Sequence, residues 1–296
     1  MTVKRHAERV RPNARQVRET LMRIVFLVTA CISILAVILI CIFMFANGIP
    51  TIAEIGPANF LLGTKWKPLN GIFGILPMIV GSLYVTAGAI LIGVPVGILC
   101  AVYLARFCSK RLYRVLKPLI DLLAGIPSIV YGFFGLVVIV PLIQKLTGGS
   151  NGKNILTASL MLGIMILPTI ISVSESAIRA VPESYYEGAL ALGATHERSV
   201  FFAVLPAAKS GILAGVILGV GRAIGEATAV KMVAGNQPIL PTSILSGVRT
   251  LTSNIVVEMG YAEGLHREAL IATAVVLFVF ILLINLSFSA LKKKEG

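Results

Sequence analysis

Charged side chains are scarce in this sequence. Only 13% of the 296 residues are Asp, Glu, Lys or Arg, whereas about a quarter of the residues of an ordinary soluble domain are charged. So few charged side chains cannot cover a water-facing surface, so a soluble globular enzyme is a poor hypothesis. Acidic residues are the scarcer kind: 13 Asp and Glu stand against 26 Lys and Arg, which gives a net charge of +13.

Several features of other protein classes are also missing. The four cysteines, Cys31, Cys41, Cys100 and Cys108, lack the paired spacing of metal ligands, so we expect inert thiols and no metal site. No Gly-x-x-x-x-Gly-Lys-Ser/Thr phosphate loop occurs, so the chain is not expected to hydrolyse ATP or to be an enzyme. The basic residues lie between apolar runs, which favours membrane flanks over nucleic-acid binding.

Six apolar runs are long enough to cross a bilayer as helices, for which about 20 residues are needed. They cover residues 24–46, 83–105, 122–143, 155–174, 211–233 and 269–291. The leader and the loops on its side of the membrane hold 18 Lys and Arg, against six on the other side, so both termini are predicted to be cytoplasmic. The sequence therefore predicts an all-α polytopic membrane protein with a basic cytoplasmic leader at 1–23 and a transmembrane permease domain at 24–296.

The cytoplasmic segment 182–206, between the fourth and fifth runs, is patterned as two short helices. Pro182 suits a first helical turn, and Gly193 has the position of a left-handed C-cap. Thr195 can cap a second helix, which Pro206 would end before the fifth run. Small residues leave room for another protein to approach the backbone, so the segment is either a docking elbow for a cytoplasmic partner or a plain loop.

This elbow resembles the signature of ABC importer permeases, which reads Glu-Ala-Ala, three residues, Gly, nine residues, Ile, any residue, Leu-Pro. The corresponding positions here are Glu187, Gly188, Ala189, Gly193, Leu205 and Pro206. Gly188 and Ala203 depart from the pattern. In that family the elbow sits in a cleft of the ATP-hydrolysing subunit. The resemblance therefore implies that these residues couple the chain to an ATPase that binds the ATP and magnesium, so that the chain needs no cofactor of its own.

The fifth apolar run carries charges where lipid depth is expected. Arg222 and Glu226 lie four residues apart, on the helical face that also bears Gly211, Gly215 and Gly219. A charge inside the membrane is costly and is by default a functional hypothesis. Two interpretations stay open: a buried ion pair that only fixes helix packing, or a pathway in which Arg222 attracts an anion and Glu226 limits how tightly it binds.

Longer stretches sharpen the resemblance. Residues 221–236, apart from the atypical Lys231, closely resemble PstC-type permease subunits of phosphate ABC importers, as do residues 125–132 and 167–170. The similarity extends over about residues 71–291. It implies the type I ABC importer permease fold, with both termini inside. It also implies a place in a bacterial or archaeal cytoplasmic membrane and the transport of inorganic phosphate into the cytoplasm.

The same resemblance implies three partners: a second, PstA-type permease subunit, a PstB-type ATPase dimer, and an extracytoplasmic PstS-type phosphate-binding protein. The outer loop 236–268, with Glu258, Glu263 and His266, is polar, so we expect it to touch the binding protein. Ser128 in the third run is a further candidate for the pathway, while close packing explains the glycines around it.

Two alternatives to a phosphate permease stay open. One is an ABC permease for sulfate, molybdate or an amino acid, and the other is an ion-gradient secondary transporter or channel.

Overall fold

The computed structural model describes the backbone of residues 14–149 and 151–294 and the side chains of residues 18–149 and 151–287. The fold is helical apart from one antiparallel hairpin, which pairs β1 (Trp66–Lys67) with β2 (Ile72–Phe73). The helices are α1 Ala14–Ile55, α2 Pro57–Leu62, α3 Leu76–Val102, α4 Lys110–Gly125, α5 Ser128–Phe134, α6 Val140–Leu146, α7 Ile155–Arg179, α8 Glu183–Ala191, α9 His196–Ser199, α10 Leu205–Gly225, α11 Thr228–Val233, α12 Leu251–Glu258 and α13 Gly264–Lys294. Most of the leader predicted at 1–23 lies outside the described residues, and α1 already begins within it.

Among the described residues, six helical stretches are long and apolar enough to cross a membrane, which confirms the predicted number of spans. They are Arg18–Ile55, Leu76–Phe107, Ser128–Leu146, Ile155–Arg179, His196–Gly225 and Gly264–Ser287. The second, third and fifth spans each contain a π-helical turn of five residues. An even number of spans places both ends of the domain on the same side, as predicted.

Two spans differ from the predicted runs because the chain breaks inside them. In the third run, α4 ends at Gly125, and Pro127 separates it from α5 because proline has no N–H to continue the helix. The predicted run 122–143 therefore straddles two helices. In the fifth run, α10 ends at Gly225 and α11 starts three residues later, so the predicted run 211–233 is interrupted as well.

The structure confirms most of the prediction for the cytoplasmic elbow at 182–206 and corrects where its second helix ends. Pro182 directly precedes α8, and Gly193 after it has the predicted left-handed backbone, with φ of +85°. Thr195 accepts a hydrogen bond from the backbone N–H of Arg198 and caps α9 as predicted. The prediction that Pro206 ends this helix is wrong. The fifth span runs on from α9 through the π-helical turn Val200–Val204 into α10, so the chain stays helical at Pro206.

Glycines bring the fourth and fifth spans into close contact. Gly211, Gly215 and Gly219 all face α7, where an added Cβ would come within 2.3–3.0 Å of a side chain. Gly93 and Gly97 of α3 meet α7 in the same way, at 2.8 Å from Ile side chains. Small residues allow helices to pack closely in a bilayer, where no hydrophobic force drives them together. α7 is therefore the centre of the bundle.

The first span stands apart from this bundle over much of its length. All side chains of α1 between residues 18 and 40 are exposed. Contact with α13 begins further along, where Phe45 packs edge-on against Phe278 at 5.7 Å between ring centroids and Gly48 packs against Ala272. In a membrane the exposed apolar surface of α1 must be covered by lipid or by another subunit.

The outer loop 236–268 is folded into the bundle. The backbone N–H of Ile155 donates to the carbonyl of Ser246 at 3.1 Å, so the loop pairs with the outer end of α7. The backbone N–H of Leu251, at the start of α12, donates to Oγ of Ser82 in α3 at 2.9 Å. These bonds position α12 against the broken fifth span.

Two side chains expected on the surface of this loop are internal. Glu258 is only 6% exposed; it accepts hydrogen bonds from Nε1 of Trp66 at 2.8 Å and from Arg249, and it lies 2.8 Å from Nε2 of His266. Burial and the neighbouring Glu258 carboxylate raise the pKa of Tyr261. Glu258 and His266 therefore join the hairpin to α12 and α13, whereas Glu263 of the same loop is exposed. The expected contact of this loop with a binding protein stays a prediction.

Candidate translocation site

Arg222 lies in the last turn of α10, where the negative end of the helix dipole favours a cation. Its Nη1 donates a hydrogen bond to Oγ1 of Thr169 in α7, at 3.3 Å. Thr169 lies 14 residues from the outer end of α7 and 10 from its cytoplasmic end, or about 21 and 15 Å at 1.5 Å per residue. The guanidinium is therefore within the span and, being partly exposed, is open on one side.

Glu226 does not pair with Arg222, and that prediction is wrong. Because α10 ends at Gly225, the four-residue spacing does not place both side chains on one helical face. Oε1 of Glu226 instead accepts the backbone N–H of Ala229 at 3.0 Å and so caps α11. The backbone carbonyl of Glu226 accepts a hydrogen bond from Oγ1 of Thr252 at 3.0 Å. Glu226 thus holds the break in the fifth span together.

The surroundings of Arg222 bear on its two interpretations. Within residues 18–149 and 151–287, no carboxylate lies within ion-pair distance of Arg222. A guanidinium at this depth is costly unless it faces water, a partner or an anion. Among the described residues Arg222 has no salt bridge that would merely fix helix registry, and its role in a pathway stays a prediction.

Ser128 begins α5, directly after the break in the third span. The hydroxyl of Tyr131, one turn further on, donates across the break to the carbonyl of Leu123 at 2.8 Å. An added Cβ on Gly132 would come within 2.7 Å of Met232, so α5 packs against α11 and the two broken spans are neighbours. Ser128 is partly exposed, but no hydrogen bond joins it to the other two predicted pathway residues in the described chain. Its role stays a prediction.

Sequence reasoning missed a row of polar groups that continues from Thr169 towards the cytoplasm. Ser172, one turn inward on α7, accepts a hydrogen bond from Nζ of Lys117 at 2.9 Å and donates one to Oδ1 of Asp121 at 3.1 Å. Both partners lie on α4, and they also pair with each other at 3.1 Å. The contact was missed because the segment from Arg106 to Lys117 was predicted to be a loop. The four-residue spacing of Lys117 and Asp121 is nevertheless typical of a helix.

The row ends at Glu175, which is only 2% exposed. Its carboxylate pairs with Arg179, accepts a hydrogen bond from the hydroxyl of Tyr113 at 2.9 Å, and lies 3.6 Å from Nζ of Lys117. The guanidinium of Arg179 stacks over the ring of Tyr113 at 4.3 Å. Charges of both signs therefore balance at the inner end of the row, as buried ionic groups require.

The elbow presents three of the six predicted coupling residues on an open surface. Glu187, Gly188 and Gly193 are exposed, and an added Cβ on either glycine would meet nothing within 4 Å. Leu192, at the tip between them, is 91% exposed. An exposed leucine beside bare backbone is a shape that another protein can cover.

The elbow is held to the membrane helices by contacts away from this surface. Glu183 pairs with Arg106 at the end of the second span, at 2.8 Å. The hydroxyl of Tyr186 lies 2.7 Å from Nδ1 of His196. Ala189 is partly buried, and Leu205 and Pro206 lie in the first turn of α10 rather than at the tip. A force on the elbow would therefore be passed directly to the second and fifth spans.

Comparison with known proteins agrees with this arrangement. Residues 93–295 match the family described as binding-protein-dependent transport system inner membrane component. The chain is 38% identical to the probable ABC transporter permease protein YqgH of Bacillus subtilis, over 92% of this chain and 91% of that protein. It is 35% identical to the phosphate transport system permease protein PstC of Mesorhizobium japonicum, over 83% of this chain and 81% of that one.

Solved structures give the same fold. An inward-facing structure of the MetNI methionine ABC transporter superposes with a TM-score of 0.62 and 19% sequence identity, over 78% of this chain and all of that one. At this identity the likeness concerns the fold alone, and it supports the type I importer architecture of six spans.

Proposed function

The chain belongs to the binding-protein-dependent transport system inner membrane components, and from this membership we propose that it is the permease subunit of an ATP-driven importer of inorganic phosphate. It is a multi-pass protein of the cytoplasmic membrane and a transport component. Relatives named as phosphate permeases over four fifths of the chain support the choice of phosphate.

The observation that carries the proposal is the guanidinium of Arg222, which has no carboxylate partner among the described residues. Its resident partner is the neutral hydroxyl of Thr169, so its positive charge is available to an anion. Arg presents several N–H donors in a fixed plane that matches the oxygens of phosphate. One cation with a weak hydroxyl partner attracts an anion without trapping it, as a conducting site requires.

The transport cycle assigns separate tasks to separate proteins. A binding protein on the outside delivers phosphate, and a second, PstA-type permease completes the pathway on the open side of Arg222. A PstB-type ATPase dimer binds ATP and magnesium, and its closure pushes the elbow at 182–206. The contacts of Glu183 and Tyr186 then pass the movement to the second and fifth spans. This chain needs to hold neither nucleotide nor metal.

Reconstitution tests the proposal. The permease is co-expressed with its neighbouring transporter subunits, purified and placed in liposomes that enclose ATP, with binding protein and radiolabelled phosphate outside. We expect ATP-dependent uptake that excess unlabelled phosphate abolishes and that excess sulfate leaves largely intact. Strong competition by sulfate would favour a permease for another oxyanion, and uptake without ATP would favour a secondary transporter or channel.

A further inference from the structure

The polar row on α7 has a second cation on its open side. Lys117 of α4 bonds Ser172, and Arg222 of α10 bonds Thr169. The two hydroxyls are three residues apart on one helix, which places them on neighbouring turns of the same face, about 4.5 Å apart along the axis. Two cations from two different helices therefore reach successive hydroxyls of the fourth span.

Exposure shows that this row is accessible in the permease subunit. The side chain of Lys117 is 21% exposed and that of Asp121 is 52% exposed, while Thr169, Ser172 and Arg222 are all partly exposed. Arg222, Thr169 and Ser172 lie within spans, whereas Lys117 and Asp121 lie on α4, before the third span begins at Ser128. A charged side chain within a span faces the bundle interior or a water-filled cavity, since facing lipid is costly. The open side of the row at Arg222 is therefore a polar surface rather than a lipid-facing one.

The charge balance around Lys117 suits a transient contact. Asp121 lies 3.1 Å and Glu175 3.6 Å from its ammonium group. Glu175 is fixed by Arg179 and Tyr113, whereas Asp121 is half exposed and bonded to Ser172. Asp121 can therefore swing away and leave a donor of Lys117 to another anion. A cation already partly neutralised holds that anion weakly, which favours release towards the cytoplasm.

We propose that Lys117 is the next cationic contact for the transported oxyanion, one helical turn inward of Arg222, with Asp121 as the resident counter-ion that yields to it. This inference rests on the proposed function and adds a residue and a direction to it. Ser172 takes part as the hydroxyl that orients the ammonium group between passages.

Two substitutions of Lys117 separate a charge role from a packing role. Lys117→Gln keeps a hydrogen-bond donor for Ser172 but loses the charge, whereas Lys117→Arg keeps both. In the reconstituted importer we expect Lys117→Gln to lower the maximal rate of phosphate uptake roughly tenfold, because a charge-assisted hydrogen bond is lost, and Lys117→Arg to restore most of it. The ATPase activity should persist in both variants.

Arg222→Gln, measured in the same assay, distinguishes the two hypotheses. If Arg222→Gln abolishes uptake and Lys117→Gln does not slow it, the role of Lys117 is wrong and the proposed pathway stands. If neither substitution slows uptake, both fail. If Lys117→Gln and Lys117→Arg are equally slow, the side chain only packs α4 against α7, and the inference is wrong.

Chemical labelling provides a test that does not depend on an active Lys117 variant. In a chain whose four native cysteines are replaced by serine, Ser172→Cys is treated with an anionic and with a cationic methanethiosulfonate. We expect the anionic reagent to react several times faster and phosphate to slow it. Ser33→Cys, in the middle of the exposed apolar helix α1, is the control expected to resist both charged reagents. Slow labelling of Ser172→Cys by both reagents, or a preference for the cation, would overturn the inference.

Discussion

The guanidinium of Arg222 is held across the seam between the fourth and fifth spans by the hydroxyl of Thr169. No carboxylate pairs with it in the described chain, so this one hydroxyl fixes its direction. This contact orients a positive charge at membrane depth, and under the proposed function it leaves that charge available to an anion.

Thr169→Val is therefore expected to reduce transport without changing the charge of the site. A hydrogen bond to a charged group contributes about 1.5–3 kcal/mol, so we expect phosphate uptake to fall roughly tenfold in liposomes. Thr29→Val is the control, because Thr29 bonds only carbonyls of its own exposed helix. Equal uptake by the two variants would mean that Thr169 does not position Arg222.

The glycine seam gives a prediction for stability. An added Cβ at Gly211 would lie 2.3 Å from Cβ of Ala177, whereas one at Gly221 in the same helix would meet nothing within 4 Å. Gly211→Ala should destabilise the protein by about 1–3 kcal/mol through overpacking. Gly221→Ala should be neutral or stabilising by up to about 1 kcal/mol through helix propensity. Thermal unfolding of both variants in detergent measures the difference, and similar midpoints would contradict the packing described.

The outer cluster gives a second prediction for stability. Glu258→Ala leaves the largely buried Arg249 without its ion-pair partner, which is expected to cost about 3–5 kcal/mol. Trp66→Phe removes one hydrogen bond to Glu258 and should cost about 1 kcal/mol. Glu263→Ala, an exposed acidic residue of the same loop, should change the unfolding midpoint little. Equal midpoints for Glu258→Ala and Glu263→Ala would show that the cluster does not stabilise the outer loop.

The elbow can be tested through its two exposed glycines. An added Cβ at Gly188 would meet nothing within 4 Å. We expect Gly188→Leu to weaken co-purification of the ATPase, which would place the partner against that surface. Gly193→Leu should also weaken the complex, since a left-handed side chain costs about 1–2 kcal/mol. Gly148→Leu carries the same left-handed strain on the outer side and should leave the complex intact. An unchanged complex in both elbow variants would make the elbow a plain connection.

Much of this architecture could be predicted from the sequence because the bilayer strongly restricts the length and composition of a helix that crosses it. Apolar length gives the number of spans, basic flanks give their orientation, and glycine spacing predicts the contact of the fifth span with its neighbour. Gly193 and Thr195 gave the elbow its turn and its cap, because few residues suit those positions.

The errors concern interruptions within spans. A helical wheel assumes one continuous helix, so it placed Glu226 beside Arg222 although the helix ends between them. Local rules do not predict that Glu226 caps the following helix or that Lys117 reaches Ser172, because both contacts depend on where broken segments meet. The polarity of the outer loop likewise suggested a surface, whereas Glu258 is buried among partners from distant segments.

Uptake by Arg222→Ala in the complete importer tests the central claim most directly. The variant is assembled with its partner subunits in liposomes, and phosphate uptake and ATP hydrolysis are measured on the same preparation. We expect uptake to be abolished while the complex assembles and still hydrolyses ATP, because the cation that attracts the anion is gone and the elbow is intact. Uptake at the normal rate would contradict the assignment of Arg222 to the pathway.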